Sequence, residues 1–256
     1  MNIAEPRPSH PGGGKPVERA AVLVDGLRLG ALPFARGEGK SAVRHLAGAS
    51  LLRVGDDASE GFVKSADLRR FGVLHFATHA VIDDQSPERS GVLLTPAPAT
   101  EDGLLQIREI VLLPLDGRVV VLSSCRSASG EVLRGEGVMG LARAFFQAGA
   151  HTVVASLWPL RDDDGAALFD RFYTHLGEGQ SVAGALRAAQ RDRLAAGAPA
   201  YAWAGLMVLG DGDLVPLPGG RSEPEIDPWR VAGLSLGVFL LAAAVLGVAL
   251  WRRGLL

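Results

Sequence analysis

The stretch VVVLSSCRSASGE, residues 119–131, opens with a short apolar run that stops at two serines. Val119 to Leu122 is the most β-branched run in the chain, and it has no alternating polar face. A short, bounded, wholly apolar run of this kind reads as a strand buried on both faces, the habit of parallel sheets. Three more stretches share the pattern: FGVLHFAT (71–78), HTVVASLW (151–158) and AGLMVLGD (204–211). Between them lie segments of helical period: GVMGLARAFFQAGA (137–150), DDDGAALFDRFYTHLGEG (162–179) and SVAGALRAAQRDRLAAG (181–197), the last capped by Ser181. Strands alternating with helices predict an α/β fold in which a mostly parallel sheet is covered on both sides.

Shorter elements complete this reading. AAVLVDG (20–26) predicts a strand closed by a turn, and GEGKSAVRHLAGA (37–49) predicts a helix. SLLRVGDDAS gives a short strand, after which Asp57 or Ser59 caps a helix in GFVKSADLRR. GVLLT (91–95) reads as a strand, and LLQIREIVLLPL (104–115) as a short helix stopped by Pro114. The polar, Pro- and Gly-rich residues 1–20 read as a lead without regular structure and without a signal peptide. The globular domain is expected over 21–213, followed by a linker at 214–230 rich in proline, glycine and acid.

Composition narrows the function. Hydrophobic residues make up 48% and charged residues 21%, which suits a globular chain. The formal net charge of -2 offers no basic stripe for nucleic acid, so no nucleic-acid partner is expected. A single cysteine cannot form an internal disulfide. Residues 231–251 carry no charge and, as a helix, would run about 31 Å, roughly one bilayer core. The span predicts one C-terminal transmembrane helix with a short tail at 252–256. Arginines are balanced on its two sides, so the positive-inside rule leaves orientation open. With no signal peptide and a span near the end, a C-terminal tail anchor in the cell membrane with a cytoplasmic domain is expected. Gly233 and Gly237 have the GxxxG spacing that lets two spans approach closely, a candidate homodimer contact.

In open parallel sheets, functional residues gather beyond the carboxyl ends of strands. The 71–78 strand delivers His79 there, and the 119–122 strand delivers Cys125. A cysteine beside a histidine is the minimal nucleophile–base pair, since the imidazole raises the thiolate fraction. Taken singly, each residue also has a structural reading: a lone cysteine as a small buried hydrophobe, a lone histidine as a packed one.

The surrounding residues resemble the CHAT family, caspase-like cysteine peptidases of the clan that includes caspases and separase. The matching segments are HFATHA (75–80), VLSSCRSASG (121–130), GEGVMGLARAFFQAGAHTVVASLWPLRDD (135–163), FYTHL (172–176), ALRAAQ (185–190) and YAWAGLMVLGD (201–211). Histidine and cysteine are 46 residues apart, close to the roughly 50 of caspases. The resemblance implies a three-layer α/β/α caspase-like fold, with Cys125 as nucleophile and His79 as base and later acid. His75, inside its strand, reads as a packed structural histidine. The resemblance further implies an oxyanion hole from the backbone N–H groups of Cys125 and of the residue after the histidine, usually glycine and here Ala80. Asp162, the best match to the family's acidic position, is implied as a residue facing a substrate pocket. Ser123 and Ser124 replace the Gln-Ala of caspases, so a preference for aspartate does not carry over.

The reading implied is a membrane-anchored cysteine endopeptidase that cleaves a cytoplasmic protein through a Cys125–His79 dyad. The alternative is a catalytically weak or silent CHAT scaffold that binds protein partners. CHAT domains commonly follow helical-repeat regions, and this sequence shows no repeat. No cofactor or metal is expected. GEGVMG (135–140) spells a dinucleotide fingerprint but starts twelve residues after its strand, where the motif needs adjacency. GLSLG (233–237) spells a serine-hydrolase motif inside the apolar span. HFATH (75–79) has zinc-ligand spacing but lies on a strand and lacks the glutamate. Asp162, Asp163 and Asp164 read first as residues that cap a helix and complement its dipole.

Overall fold

A computed structural model describes residues 2–4, 22–24, 27–29, 31–46, 50–83, 86–96, 101–123 and 136–216. For 2–4, 22–24, 27–29 and 136–138 only the backbone is described. The expected span at 231–251, its Gly233/Gly237 contact and Cys125 lie outside these residues. Among the described residues no helix is long and apolar enough to cross a membrane.

In chain order the elements are β1 (Asn2–Ala4), β2 (Val22–Val24), β3 (Leu27–Leu29), α1 (Ala35–His45), β4 (Leu52–Arg53), α2 (Glu60–Ser65), β5 (Val73–Ala77), β6 (Ala80–Val81), β7 (Gly91–Leu93), β8 (Leu104–Gln106), α3 (Ile107–Ile110), β9 (Val119–Leu122), α4 (Glu136–Gln147), β10 (Thr152–Ser156), α5 (Asp162–Gly177), α6 (Val182–Ala195) and β11 (Leu206–Gly210). Six strands form the main sheet in the order β11-β10-β9-β5-β1-β4. All neighbours run parallel except β11, which closes the edge antiparallel to β10.

Alternation along the strands sends side chains to two apolar layers. Leu74, Phe76, Val120, Leu122, Val153 and Ala155 pack in one cluster with Leu141, Ala144 and Phe145 of α4. Val73, Val119, Val121 and Val154 pack on the other side with Ala42 of α1, Phe169, Phe172 and Tyr173 of α5, and Leu186 and Ala189 of α6. Both faces are therefore dry, which is why these strands lack a polar face in sequence. Gly177, at the end of α5, has a packing role as well as a terminal one. A Cβ there would lie 2.2 Å from the His45 carbonyl oxygen, so α1 and α5 meet closely only because the side chain is absent.

The structure departs from the sequence reading in several places: the helix read over GFVKSADLRR, for one, ends at Ser65, and a separate 3-10 turn covers Leu68–Arg70. Asn2–Ala4, within the lead expected to lack regular structure, form β1 and sit between β4 and β5, with Ile3 paired to Arg53 and to Phe76. A three-residue strand carries too little periodicity to be read alone; the backbone partners on both sides supply what its sequence does not show. The segment 104–115 is not one helix. Leu104–Gln106 pair with β7 as β8, and a single turn, α3, follows from a capping box in which Gln106 and Glu109 bond reciprocally. Finally, β6, β7 and β8 form a separate antiparallel sheet. The caps at Ser59 and Ser181 are as read, accepting from the Phe62 and Gly184 N–H groups.

Candidate functional site

His79 lies two residues past β5 and is buried. The main chain holds it. Its carbonyl accepts from the Leu93 N–H at 2.8 Å, and the hydroxyl of the preceding Thr78 donates to the Leu93 carbonyl at 2.7 Å. Both contacts tie the turn to β7. One of the two neighbours of β5 in the sheet is β9, with His75 opposite Val121 and Phe76 opposite Leu122. The Ser123 N–H continues this ladder to the Phe76 carbonyl at 3.1 Å. Cys125, two residues further on, lies outside the described residues, and so does its backbone N–H as an oxyanion donor.

Ala80 begins β6, opposite Val92. Because the Leu93 N–H bonds to the His79 carbonyl, the bonds flank the Ala80–Val92 pair and do not join it. In such a narrow pair the residue's own N–H turns away from the partner strand. Ala80 is thus extended backbone with its N–H directed off β7, and nothing in this geometry demands the glycine usual in the family.

A cavity of about 490 Å³ opens over His79. One wall is 31–34 and the other 159–163. The structure therefore brings His79 and Asp162 to the same space, while Ala80 is not among the lining residues. Asp162 does not serve as the cap of its own helix. The N-cap of α5 is Arg161, without a side-chain cap bond, and the Asp162 Oδ2 instead accepts from the Phe34 N–H at 2.7 Å. Burial pushes the Asp162 carboxyl above the usual carboxylate range; the Phe34 N–H opposes this, and nearby Glu38 and Asp163 add to it. Asp163, exposed at the rim, is held below its usual value by a hydrogen bond from Arg161. Trp158, just before the second wall, donates from Nε1 to the Tyr201 carbonyl and stacks so closely on Gly205 that a Cβ there would meet its ring at 2.5 Å.

His75 has a separate role. It is buried inside β5, with Nδ1 against the Tyr173 hydroxyl and Nε2 against Glu38 Oε1, and it meets Phe169 edge-on at 5.3 Å. Both ring nitrogens face groups of α1 and α5, and His75 is not among the residues that line the cavity over His79. Burial and the Glu38 charge push the Tyr173 hydroxyl well above its ordinary value. The sequence reading did not find Glu38, Tyr173 or the wall at 31–34, because a glutamate in a polar helix start and a four-residue turn carry no motif. Elsewhere, three carboxylates with ligand-like spacing, Glu60, Glu101 and Glu109, surround the Lys64 ammonium, which fills the place of a cation.

Comparison with known proteins agrees with this frame. The sequence profile of the CHAT domain matches residues 4–211. Tetratricopeptide repeat protein 28 of Homo sapiens is 32% identical over 132 residues, and its Mus musculus counterpart 31% identical over the same length. These matches cover 51% of this chain and 5% of each relative, so the likeness is to a small part of much longer proteins. With the profile match running through β5, the His79 turn, β9, β10 and the helices that cover them, the chain belongs to the CHAT domain family.

Proposed function

We propose that the chain is a protein-interaction module that receives a segment of a partner polypeptide at the His79 cavity. The cavity carries this reading. Its volume falls in the range of ligand pockets, its walls present apolar side chains and main chain, and a few polar groups converge in it. The relatives are named for tetratricopeptide repeats, helix pairs that stack into extended binding surfaces. Acting as a recognition module beside such surfaces is consistent with the scaffold alternative. Peptide display against the full chain tests it. Selected peptides should lose binding on the order of tenfold when Leu32→Trp fills the cavity; peptides that bind the variant equally well would place recognition elsewhere.

A second reading is favoured by the place of His79 in the turn after β5, a sheet neighbour of β9, the strand that leads to Cys125. In it the Cys125 thiolate attacks the scissile carbonyl and His79 protonates the leaving amine. The acyl-enzyme is then hydrolysed, with the Ala80 N–H among the oxyanion donors. Cleavage-site mapping of a bound partner with wild type and Cys125→Ala separates the readings. Cuts that vanish in Cys125→Ala establish the endopeptidase, and binding without cuts in either protein supports the module alone. Residues 231–251 are proposed to anchor the chain in a membrane with the CHAT domain cytoplasmic, and Gly233 and Gly237 to pair two spans. Alkaline extraction of the full chain should leave it in the membrane pellet, and release by alkali alone would refute the anchor.

A further inference from the structure

The two walls of the His79 cavity come from segments far apart in sequence, yet the Phe34 backbone and the Asp162 side chain join them directly. We propose that this hydrogen bond is a clasp between the walls, and that its opening governs access to His79. The inference deepens the reading of the His79 cavity as the binding site and rests on it.

The bond joins the near ends of two helices. Phe34 is the N-cap of α1 and has no side-chain cap bond, and its side chain is half exposed. Asp162 is the first residue of α5. Further along, α1 and α5 are locked to one another and to the sheet. Glu38, His75 and Tyr173 form a buried cluster, Ser41 donates to Asp170, and the His45 carbonyl abuts Gly177. The helices are thus fixed along their length, while their cavity ends meet at the clasp.

The charged groups around Asp162 set how the clasp responds to pH. Glu38 faces it from α1, and Arg161 and Asp163 flank it at the start of α5. His79 shares the cavity from the end of β5, and His75 and Tyr173 stand behind Glu38. Burial and the two neighbouring carboxylates favour the protonated acid, whereas the Phe34 N–H favours the anion. Since the bond stabilises the charged form, protonation must weaken the bond by the same free energy. Acid therefore loosens the clasp, and neutral pH holds it.

Amide exchange of Phe34 in the full chain, corrected for intrinsic rates, reads the clasp directly. At about pH 7, Asp162→Ala should speed exchange at Phe34 on the order of tenfold relative to wild type. In wild type, protection at Phe34 should fall as pH is lowered from about 7 to about 4.5, and Asp162→Asn should abolish that dependence. Asp163→Asn should keep Phe34 protected at about pH 7 and move the loss of protection to lower pH, because one of the carboxylates that favour the protonated acid is gone. Carbethoxylation of His79 at fixed pH, with exposed His151 as internal reference, should be faster in Asp162→Ala on the order of severalfold. Equal Phe34 protection in wild type and Asp162→Ala, or an unchanged His79 rate, overturns the proposal. Should Asp162→Ala fail to fold, a pH-independent Phe34 amide in wild type overturns it equally. If the exchange results hold but no variant alters peptide binding, the binding-site reading fails and the clasp stands.

Discussion

Replacing Lys64 with Met should destabilise the domain in a way that acid partly reverses. The Lys64 ammonium meets Glu60 at 2.7 Å, Glu109 at 2.8 Å and Glu101 within hydrogen-bond reach. Glu60 is buried at 1% exposure, while Glu101 and Glu109 are partly open to water. Removing one partner of a buried ion pair costs about 3–5 kcal/mol, and each exposed pair is worth less than about 1 kcal/mol. Because Lys64 is itself 26% exposed, water relieves part of the buried term, and a net loss of about 2–3 kcal/mol is expected.

For a domain of this size that corresponds to a fall in Tm of about 4–12 °C. The pH dependence follows from Glu60, whose carboxyl is already pushed above its ordinary value by burial, with Lys64 and the Gly103 N–H opposing. A carboxyl whose folded-state pKa is raised binds its proton more tightly in the folded chain, so stability falls as pH rises through the window between the unfolded and folded values. Taking Lys64 away raises the folded value further and widens that window. The variant's deficit should therefore be larger at about pH 7 than at about pH 5, read by thermal unfolding followed by circular dichroism. Adding Glu60→Gln should recover part of the neutral-pH loss. A deficit equal at both pH values, or strictly additive effects in the double variant, would refute the view that an uncompensated Glu60 charge is the cause.

Other perturbations follow from the same geometry. Tyr173→Phe removes the hydroxyl against His75 Nδ1 in a fully buried site, and a loss of about 1–3 kcal/mol in denaturant unfolding is expected. Gly177→Ala would ordinarily strengthen a helix by about 1 kcal/mol. Here the new Cβ lies 2.2 Å from a backbone oxygen, and overpacking of about 1–3 kcal/mol makes the change destabilising; a raised denaturation midpoint would contradict it. Gly205→Val drives a side chain into the Trp158 ring and displaces the wall that follows it, so selected peptides should bind on the order of tenfold more weakly, with unchanged affinity as the refuting result.

What the sequence revealed was set by how locally each feature is encoded. The runs at 73–77, 119–122 and 152–156 are buried on both faces because helices cover both sides of the sheet, and apart from His75, Thr152 and Ser156 they are apolar, so composition identifies them as buried strands. His79 was legible because it closes one such strand. The segment 104–115 was not, since its apolar residues suit either a helix or the edge pairing with β7 that Leu104–Gln106 adopt. Strand β1 is too short to announce itself. Asp162 was legible as an acidic position but not as a partner of Phe34, because a contact across 128 residues leaves no local trace. The same holds for Glu38, His75 and Tyr173, which meet only once α1, β5 and α5 are packed.

The site joins two kinds of construction, and the difference bears on function. Its floor is His79, held in place through the main chain. Only Thr78 and His79 separate β5 from β6, and bonds to Leu93 from both residues fix the turn. The turn tolerates Ala80 in place of glycine, because the residue is extended and its N–H is turned off the ladder whatever its side chain. The walls are the starts of two helices, and a side-chain hydrogen bond joins them across the cavity. Substitutions at Thr78 and Ala80, which support His79 without lining the cavity, should therefore register chiefly as stability, through the β6–β7 pairing. Substitutions in the walls should register chiefly as affinity and access, with Tm nearly unchanged. Scanning both sets for Tm and peptide binding together checks this division: wall variants that lose stability in proportion to binding would show that floor and walls unfold as one unit.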